Sequence, residues 1–237
     1  MDTTPPAPSE VSFQRHNGFV GPADLSDCLN IIGVGATGSN LALLAAKMGF
    51  TNFRVWDHDH VEPHNLPNQA YDLEHVGMKK VDALKLVLER FNPRVKIETH
   101  DKYFVAAEDA DLVEGILVVA VDSMVARKDI VDVFDGNPMV TLVMESRLGF
   151  DFGEVNIIDP MCDEDIQGFR ASLFNDEDVP ESPCGFRICT TTVNMIASYM
   201  VQQICQSKSH ERRGLEWQPK KKAVMCFNDE GMTAHMF

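Results

Sequence analysis

Residues 29–65 decide the fold, and they read LNIIGVGATGSNLALLAAKMGFTNFRVWDHDHVEPHN. The stretch opens with an apolar run at 29–34 that is typical of a buried strand, and a glycine-rich turn leads into an apolar segment at 37–48 that predicts a helix. A second strand is predicted at 53–56 and ends at Asp57. This order of strand, glycine turn, helix, strand and acid is the pattern of a dinucleotide-binding unit.

The glycines Gly33, Gly35 and Gly38 give this pattern a physical meaning. Glycine allows the backbone to turn tightly and to approach a phosphate, and the following helix offers unpaired N–H groups and the positive end of its dipole. Asp57 stands 19 residues after Gly38, where a carboxylate can accept hydrogen bonds from a ribose. The pattern therefore predicts nucleotide binding and leaves NAD, FAD and ATP open as the nucleotide.

Length and composition are those of a soluble globular protein, with 237 residues, 44% of them hydrophobic and 24% charged. We expect one α/β domain over residues 29–237, preceded by a mobile tail and entry segment at 1–28. The net charge of −15 argues against a general nucleic-acid binder and against a protein that binds anionic membranes.

Targeting and redox signals point to the cytoplasm. The sequence has no apolar run of about 18 residues, so no membrane span is predicted, and the first ten residues lack the basic and apolar parts of a signal peptide. The six cysteines are scattered and form no CxxC pair, which favours reduced thiols over a disulfide framework or a zinc ribbon.

The rest of the chain continues the alternation of strands and helices. An apolar run at 115–121 predicts a central parallel strand that ends at Asp122, where carboxyl ends of strands line a ligand crevice and can meet a metal. Ser123 is predicted to cap the next helix. Further predicted segments are a loop at 61–75, helices at 77–91, 123–134 and 190–205, strands at 95–98, 139–144, 154–158 and 223–227, an acidic irregular stretch at 161–181 and a basic linker at 212–222. The predicted fold is a Rossmann-like, doubly wound, mostly parallel sheet with an antiparallel C-terminal extension.

Four motifs in order resemble the ThiF/MoeB/HesA family, the prokaryotic relatives of ubiquitin-activating enzymes. They are the glycine loop GVGATGSN, the segment WDHDHVEPHNLPNQ, the segment VGMKKVDA with its later FNP turn, and the strand end VVAVDSMVAR. The resemblance covers residues 29–205. It implies an enzyme that uses ATP and Mg²⁺ to adenylate the C-terminal glycine of a ubiquitin-like or sulfur-carrier protein that ends in Gly-Gly, and that releases pyrophosphate.

The same resemblance assigns roles to individual residues. Asp57 is expected to bind the ribose, Lys80 to neutralise phosphate charge in the transition state, and Asp122 to hold Mg²⁺. Lysine and a metal ion suit this reaction because negative charge grows on phosphate oxygens. The full set of implied nucleotide contacts is Gly33, Gly35, Ala36, Thr37, Gly38, Asp57, Asp59, Asn65, Asn68, Gln69, Lys80, Asp122, Ser123 and Arg127.

Four positions have a further meaning under the same resemblance. Arg15 is the candidate for an arginine that family dimers donate across their interface, so a homodimer is expected. Cys184 and Cys189 lie where some relatives form a thioester or persulfide with the carrier, and the predicted helix after Cys189 favours a lowered thiol pKa there. Asn68 stands where the family has an arginine, so one phosphate-binding charge is missing.

The sequence is also compatible with two other classes of function. An NAD-dependent oxidoreductase would share the fold, but it leaves Asn65, Lys80 and Asp122 without a joint explanation. A family member with weakened catalysis that acts as a binding scaffold is the other alternative, and Asn68 is the residue that supports it.

Overall fold

The chain is described by a computed structural model over residues 11–149, 152–175, 189–228 and 231–237. The strands in these ranges are β1 Leu29–Ile32, β2 Asn52–Trp56, β3 Lys96–His100, β4 Gly115–Val119, β5 Val140–Leu148, β6 Phe152–Ile158, β7 Lys222–Asn228 and β8 Gly231–Met236. They form a single sheet in the order β3-β2-β1-β4-β5-β6-β7-β8. Neighbours from β3 to β5 are parallel, and those from β5 to β8 are antiparallel. The predicted Rossmann-like sheet with an antiparallel extension is confirmed.

Helices cover both faces of the sheet. The described α-helices are α1 Ala36–Met48, α2 Lys80–Phe91, α3 Ala106–Asp109, α4 Met124–Phe134, α5 Asp163–Ala171 and α6 Thr190–Arg212, and short 3₁₀ helices lie at Pro22–Leu25, Pro63–Asn65, Leu73–His75 and Ala110–Leu112. Successive strand residues point to opposite faces, so Ile31 joins the core under α1, α2 and α6 while Ile32 joins the core under α4 and α5. Burial of β1 on both sides explains why three of its four residues are apolar, and the polar one, Asn30, is buried with its Nδ2 donating to the carbonyls of Glu114 and Ile116.

Helix α2 begins at Lys80, three residues later than the predicted start at 77. Gly77 has a φ of +88°, and residue 79 pairs with His60 in an isolated antiparallel bridge. This extended segment makes Lys79 the N-cap and places Lys80 at the first helical position. Lys80 is thereby directed inward, and its side chain is only 8% exposed.

The prediction of irregular structure over 161–181 is wrong for α5. This helix carries Asp163, Glu164 and Asp165 in its first turn, where acidic side chains favour the helix dipole, and it buries Ile166 and Phe169. Only two buried anchors in a short acidic segment make its period difficult to recognise in the sequence.

The C-terminal part of the structure differs from the prediction in one helix and one strand. Helix α6 continues to Arg212, and β8 adds an unpredicted strand at the edge of the sheet. Every residue of β8 is exposed, and the strand contains no lysine, arginine, aspartate or glutamate. None of the helices in the described ranges is both long enough and apolar enough to cross a membrane.

Candidate functional site

The carboxyl ends of β1, β2 and β4 meet at one edge of the sheet. Beyond the strands themselves, the Gly33 N–H donates to the Trp56 carbonyl at 2.9 Å, and the Ala120 N–H donates to the Ile32 carbonyl at 2.9 Å. Strand β1 lies between β2 and β4, so the chain order reverses here. Parallel sheets of this kind bind ligands at such a switch point.

In the glycine loop that follows β1, some glycines are required by contacts within the protein, and another borders open space. Gly33 has a φ of +89°, and a Cβ there would lie 2.7 Å from the Ala120 carbonyl oxygen. A Cβ on Gly38 would lie 2.0 Å from the Gly33 carbonyl oxygen. Both are required by packing within the protein. A Cβ on Gly35, in contrast, would meet nothing within 4 Å, so the open space beside Gly35 is available to a ligand.

The first turn of α1 faces that same open space. Gly35 is the N-cap, and no side chain caps the helix start. The N–H groups of a first helical turn lack partners inside the helix, so this end favours an anion. Ala36 and Thr37 supply the first positions of this turn, so the helix begins one residue before its predicted start at 37, and the nucleotide contacts of both residues stay a prediction.

Asp57 connects β2 to the glycine loop. Its Oδ2 accepts a hydrogen bond from the Val34 N–H at 2.9 Å, and its Oδ1 accepts from the Asp59 N–H at 2.9 Å. Each carboxylate oxygen has two lone pairs, so both oxygens keep capacity for a ligand hydroxyl. The ribose contact stays a prediction, and the structure adds that Asp57 also holds the loop in place.

Lys80 and Asp59 form an ion pair beside the loop. The Lys80 Nζ lies 2.7 Å from the Asp59 Oδ2, and the Lys80 N–H donates to the Asp59 carbonyl at 2.9 Å. Partial burial of Asp59 opposes ionisation, but the hydrogen bond and charge of Lys80 outweigh it and lower the pKa of this carboxyl. The neighbouring Lys79 instead pairs with Asp101 at the surface.

Tyr71 is a buried residue of the site that the sequence reasoning missed. Its hydroxyl lies 2.7 Å from the Val34 carbonyl oxygen and 3.3 Å from the Lys80 carbonyl oxygen, so it joins the glycine loop to the start of α2. Burial, with a smaller contribution from the charge of Asp57, raises the pKa of Tyr71 well above its ordinary value. An isolated tyrosine in a polar loop gives no sequence signal of this contact.

The loop at 61–75 is held against α1 by two contacts. Asn40 Nδ2 donates to the Asn68 carbonyl at 2.9 Å, and the Ala70 N–H donates to Ser39 Oγ at 3.0 Å. The side-chain oxygens of Asn68 and Gln69 are buried without a hydrogen-bond partner among the described residues. A buried unpaired amide is costly, and such groups at a site are candidates for ligand contact.

Asn65 has a role inside the same loop. Its Oδ1 accepts a hydrogen bond from the Glu62 N–H at 2.9 Å, which stabilises the short 3₁₀ helix there. The expected phosphate contact of Asn65 stays a prediction beside this internal one.

Asp122 is exposed in the turn after β4, and Ser123 caps α4 by accepting a hydrogen bond from the Ala126 N–H at 3.3 Å, as predicted. The position of the Asp122 carboxylate at the strand edge suits a hard oxygen ligand for Mg²⁺. Arg127 is buried below this turn and pairs with Glu145, with 2.7 Å between Nε and Oε1. Its predicted nucleotide contact therefore competes with an internal role.

Of the predicted positions Arg15, Cys184 and Cys189, the structure describes Arg15 and Cys189. Cys184 lies outside the described residues, and Arg15 is exposed in a turn ahead of β1. Cys189 is the N-cap of α6, and its Sγ lies 3.0 Å from the Thr191 Oγ1. Hydrogen bonds from the Thr191 side chain and backbone lower the pKa of this thiol.

A hydrogen bond also ties the start of α6 to the loop at 61–75. The Thr190 Oγ1 donates to the Pro67 carbonyl at 2.8 Å, one residue before Asn68. Cys189 therefore stands beside the loop that carries Asn68 and Gln69, although it is 121 residues away from Asn68 in sequence.

The parallel sheet, the glycine loop and the uncapped helix start define a Rossmann-like fold, a class that commonly binds nucleotides. The sequence profile of the ThiF family matches residues 25–230, and the chain belongs to this family. The family motifs that contain the glycine loop, Asp57 and Asp122 follow β1, β2 and β4, at the carboxyl ends of these strands.

Curated relatives match over a shorter stretch. Ubiquitin-like modifier-activating enzyme 5 of Drosophila melanogaster is 33% identical over 81 residues, which cover 34% of this chain and 20% of the relative. The same enzyme of Caenorhabditis briggsae is 31% identical over 85 residues, 36% of this chain and 20% of the relative. The match spans about a fifth of the length of these relatives.

Solved structures share the fold at lower identity. Escherichia coli MccB crystallised with ATP has a TM-score of 0.69 and 14% identity, with 91% of this chain and 65% of that chain covered. The crystal structure of PaaA has a TM-score of 0.68 and 20% identity, with the same shares of 91% and 65%. The chain spans about two thirds of these larger proteins.

Proposed function

We propose that this chain is an ATP-dependent adenylyltransferase that activates the C-terminal glycine carboxylate of a ubiquitin-like or sulfur-carrier protein. Family membership, the names of the curated relatives and the ATP in the MccB structure support this class of reaction. One observation carries the proposal: the glycine loop, Asp57 and Lys80 lie together at the carboxyl ends of the parallel strands.

The proposed reaction forms a bond between a carboxylate oxygen of the carrier and the α-phosphorus of ATP, while the bond from that phosphorus to pyrophosphate breaks. The N–H groups at the start of α1 would bind phosphate oxygens next to Gly35, and Asp57 would accept from the ribose. Lys80 would exchange its partner Asp59 for the phosphate charge that develops in the transition state.

The residues present fit both ATP and Mg²⁺. The space beside Gly35 provides a place for phosphates, the unpaired side-chain oxygens of Asn68 and Gln69 can accept from hydrogen-bond donors of a ligand, and Asp122 offers a carboxylate to a hard cation. Bound Mg²⁺ would supply neutralisation of phosphate charge. Asn68 leaves the site without the family's arginine, so Lys80 carries more of that neutralisation.

The first prediction compares Gly35→Ala with Gly33→Ala. Because the new methyl at position 35 meets no protein atom, we expect Gly35→Ala to lower the free energy of unfolding by at most about 1 kcal/mol, the cost of a poorer N-cap. ATP binding with Mg²⁺ should nevertheless fall at least tenfold, on the order of 1.4 kcal/mol. Gly33→Ala should instead destabilise the fold itself, because its methyl overlaps the Ala120 carbonyl.

Isothermal titration calorimetry with ATP and with NAD, together with urea unfolding, measures both effects. Unchanged ATP affinity in a folded Gly35→Ala variant would contradict the phosphate assignment. Binding of NAD in preference to ATP by the wild type would favour the oxidoreductase. Pyrophosphate exchange with carriers that end in Gly-Gly then separates an active enzyme from a binding scaffold.

A further inference from the structure

A buried cluster of charged side chains lies beneath the turn that carries Asp122. Glu145 on β5 is completely buried, and its Oε1 lies 2.7 Å from the Arg127 Nε and 3.0 Å from the Arg147 Nε. Its Oε2 accepts a hydrogen bond from Asn156 Nδ2 at 2.7 Å. In the parallel pairing of β4 with β5, Glu145 stands opposite Val119, the last residue of β4.

Arg127 connects this cluster to the turn. Its Nη1 donates to the Asp122 carbonyl at 3.3 Å, and its Nη2 donates to the Ser146 carbonyl at 3.1 Å. One guanidinium therefore joins the carboxylate of Glu145, the backbone of β5 and the backbone of the Asp122 turn. The planar fork of arginine can do this with fixed geometry, whereas a lysine ammonium is a single point of contact.

Stability alone gives a weak reason for this arrangement. Removing charges from water is expensive, and apolar residues of similar size often stabilise a core equally well. The neighbouring core of α4 and β5 is apolar, with Ile130, Val131 and Val143. The charges beneath Asp122 instead determine where a specific stretch of backbone lies.

We propose that Arg127, held by Glu145, is a positioning residue that fixes the Asp122 turn and so places the Asp122 carboxylate for its divalent cation. This inference rests on the proposed function, in which Asp122 binds Mg²⁺. It identifies Arg127 as a residue that acts through Asp122 and not through direct contact with the nucleotide. Residues outside a metal's own ligand set that orient its ligands commonly affect metal affinity by about 10-fold to 100-fold.

The test uses Arg127→Lys and Arg147→Lys as a matched pair. Both arginines pair with Glu145, and both variants keep the positive charge, but Arg147 donates to Ser172 and not to the Asp122 turn. We expect Arg127→Lys to raise the Mg²⁺ concentration for half-maximal ATP binding roughly 10-fold. Arg147→Lys should leave it within about twofold, although both variants lower thermal stability.

Calorimetric ATP titrations at several Mg²⁺ concentrations measure this requirement without any turnover. An equal Mg²⁺ shift in both variants, or no shift in either, would overturn the positioning role while wild-type ATP binding leaves the proposed function intact. A wild type that binds no ATP at saturating Mg²⁺ would overturn both proposals.

A double variant tests whether Arg127 acts through Asp122, and a measurement on the wild type keeps the test independent of folding. In an Asp122→Asn background, the additional effect of Arg127→Lys on the Mg²⁺ requirement should disappear, because Arg127 acts through the Asp122 carboxylate. If Arg127→Lys does not fold, NMR of the nucleotide-free wild type decides: a backbone order parameter of about 0.85 at Asp122 supports a fixed turn, and a value below about 0.6 overturns it.

Discussion

At the scale of single residues, Lys80 has its charge partner before any nucleotide binds. Its side chain is buried beside Asp59, while Lys79 is exposed and pairs with Asp101. Two adjacent lysines therefore have opposite surroundings. The hydrophobic period alone does not separate them, because the predicted helix starts at 77 and includes both, whereas the family resemblance selects Lys80.

The second prediction compares the two adjacent lysines, Lys80 and Lys79. Lys80→Ala should reduce ATP–pyrophosphate exchange about a hundredfold, with a much smaller loss of ATP affinity, because the ammonium acts on charge that develops in the transition state. Lys79→Ala is the matched control, and its exchange rate should stay close to that of the wild type. Normal exchange in Lys80→Ala, measured with a carrier that the wild type turns over, would refute the catalytic role.

The third prediction concerns the thiol of Cys189. Its pKa is lowered, so its reactive thiolate forms at a lower pH than an ordinary thiol, whereas burial raises the pKa of Cys205 to about 12. As the pH rises, iodoacetamide should therefore modify Cys189 first and leave Cys205 unmodified. Thr191→Val should move the midpoint of Cys189 labelling to higher pH, since the side-chain hydrogen bond is lost.

Mass spectrometry of alkylated peptides over a pH series measures the midpoint of Cys189 labelling in the wild type and in Thr191→Val. Cys189 caps the helix that contains Cys205, so Cys205 is an internal control for global opening. Labelling of both cysteines with one pH dependence would contradict the assignment of a special thiol at the start of α6.

At the scale of elements, the parallel half of the sheet was predictable and the C-terminal half less so. Apolar strands and the glycine turn carry local signals of period and turn chemistry, and β1, β2 and β4 occur where these signals predict them. Helix α5 is short and acidic, and β8 is too exposed to show a buried alternation. Both depend on packing and pairing that distant segments provide.

The candidate site shows the same division. Gly33, Gly38 and Asp57 belong to a motif with local spacing, and the structure brings them together as expected. Tyr71 and Glu145 carry no such motif, since their partners lie 37 and 18 residues away at Val34 and Arg127. A polar side chain in a loop or strand reveals its partner only when the fold is known.

The fourth prediction tests the link that Tyr71 makes between the glycine loop and α2. Tyr71→Phe removes one buried hydroxyl without changing the ring, so the free energy of unfolding should fall by about 1 kcal/mol. Tyr103→Phe is the control, because Tyr103 is 67% exposed and its change should stay within about 0.5 kcal/mol. Urea unfolding measures both, and equal effects would show that the Tyr71 hydroxyl contributes no specific bond.

At the scale of the whole molecule, we propose a homodimer, as the family resemblance implies. Light scattering at micromolar concentration should give twice the chain mass of 26.5 kDa, and a mass of 26.5 kDa alone would exclude the dimer under those conditions. Arg15 is exposed in this chain and is available to a partner's site.

The fifth prediction asks whether Arg15 acts across that dimer. Arg15→Ala and Lys80→Ala should each lose exchange activity as homodimers. Mixed and reassociated, they form heterodimers in which one site has both Lys80 and a donated Arg15, so part of the activity should return. No recovery from a mixture that light scattering shows to be dimeric would place Arg15 outside the partner's site.

Among the strands that the structure describes, β8 is the outermost, it contains no lysine, arginine, aspartate or glutamate, and this has a consequence for colloidal behaviour. Natural sheets usually protect such edges with lysine, proline or a bulge, because an open edge recruits strands from other molecules. Here the net charge of −15 supplies the protection at a distance, through mutual repulsion between whole molecules. Salt shortens the range of that repulsion. Concentrated solutions at high ionic strength would therefore associate through β8, and dilute solutions at low ionic strength would stay dispersed.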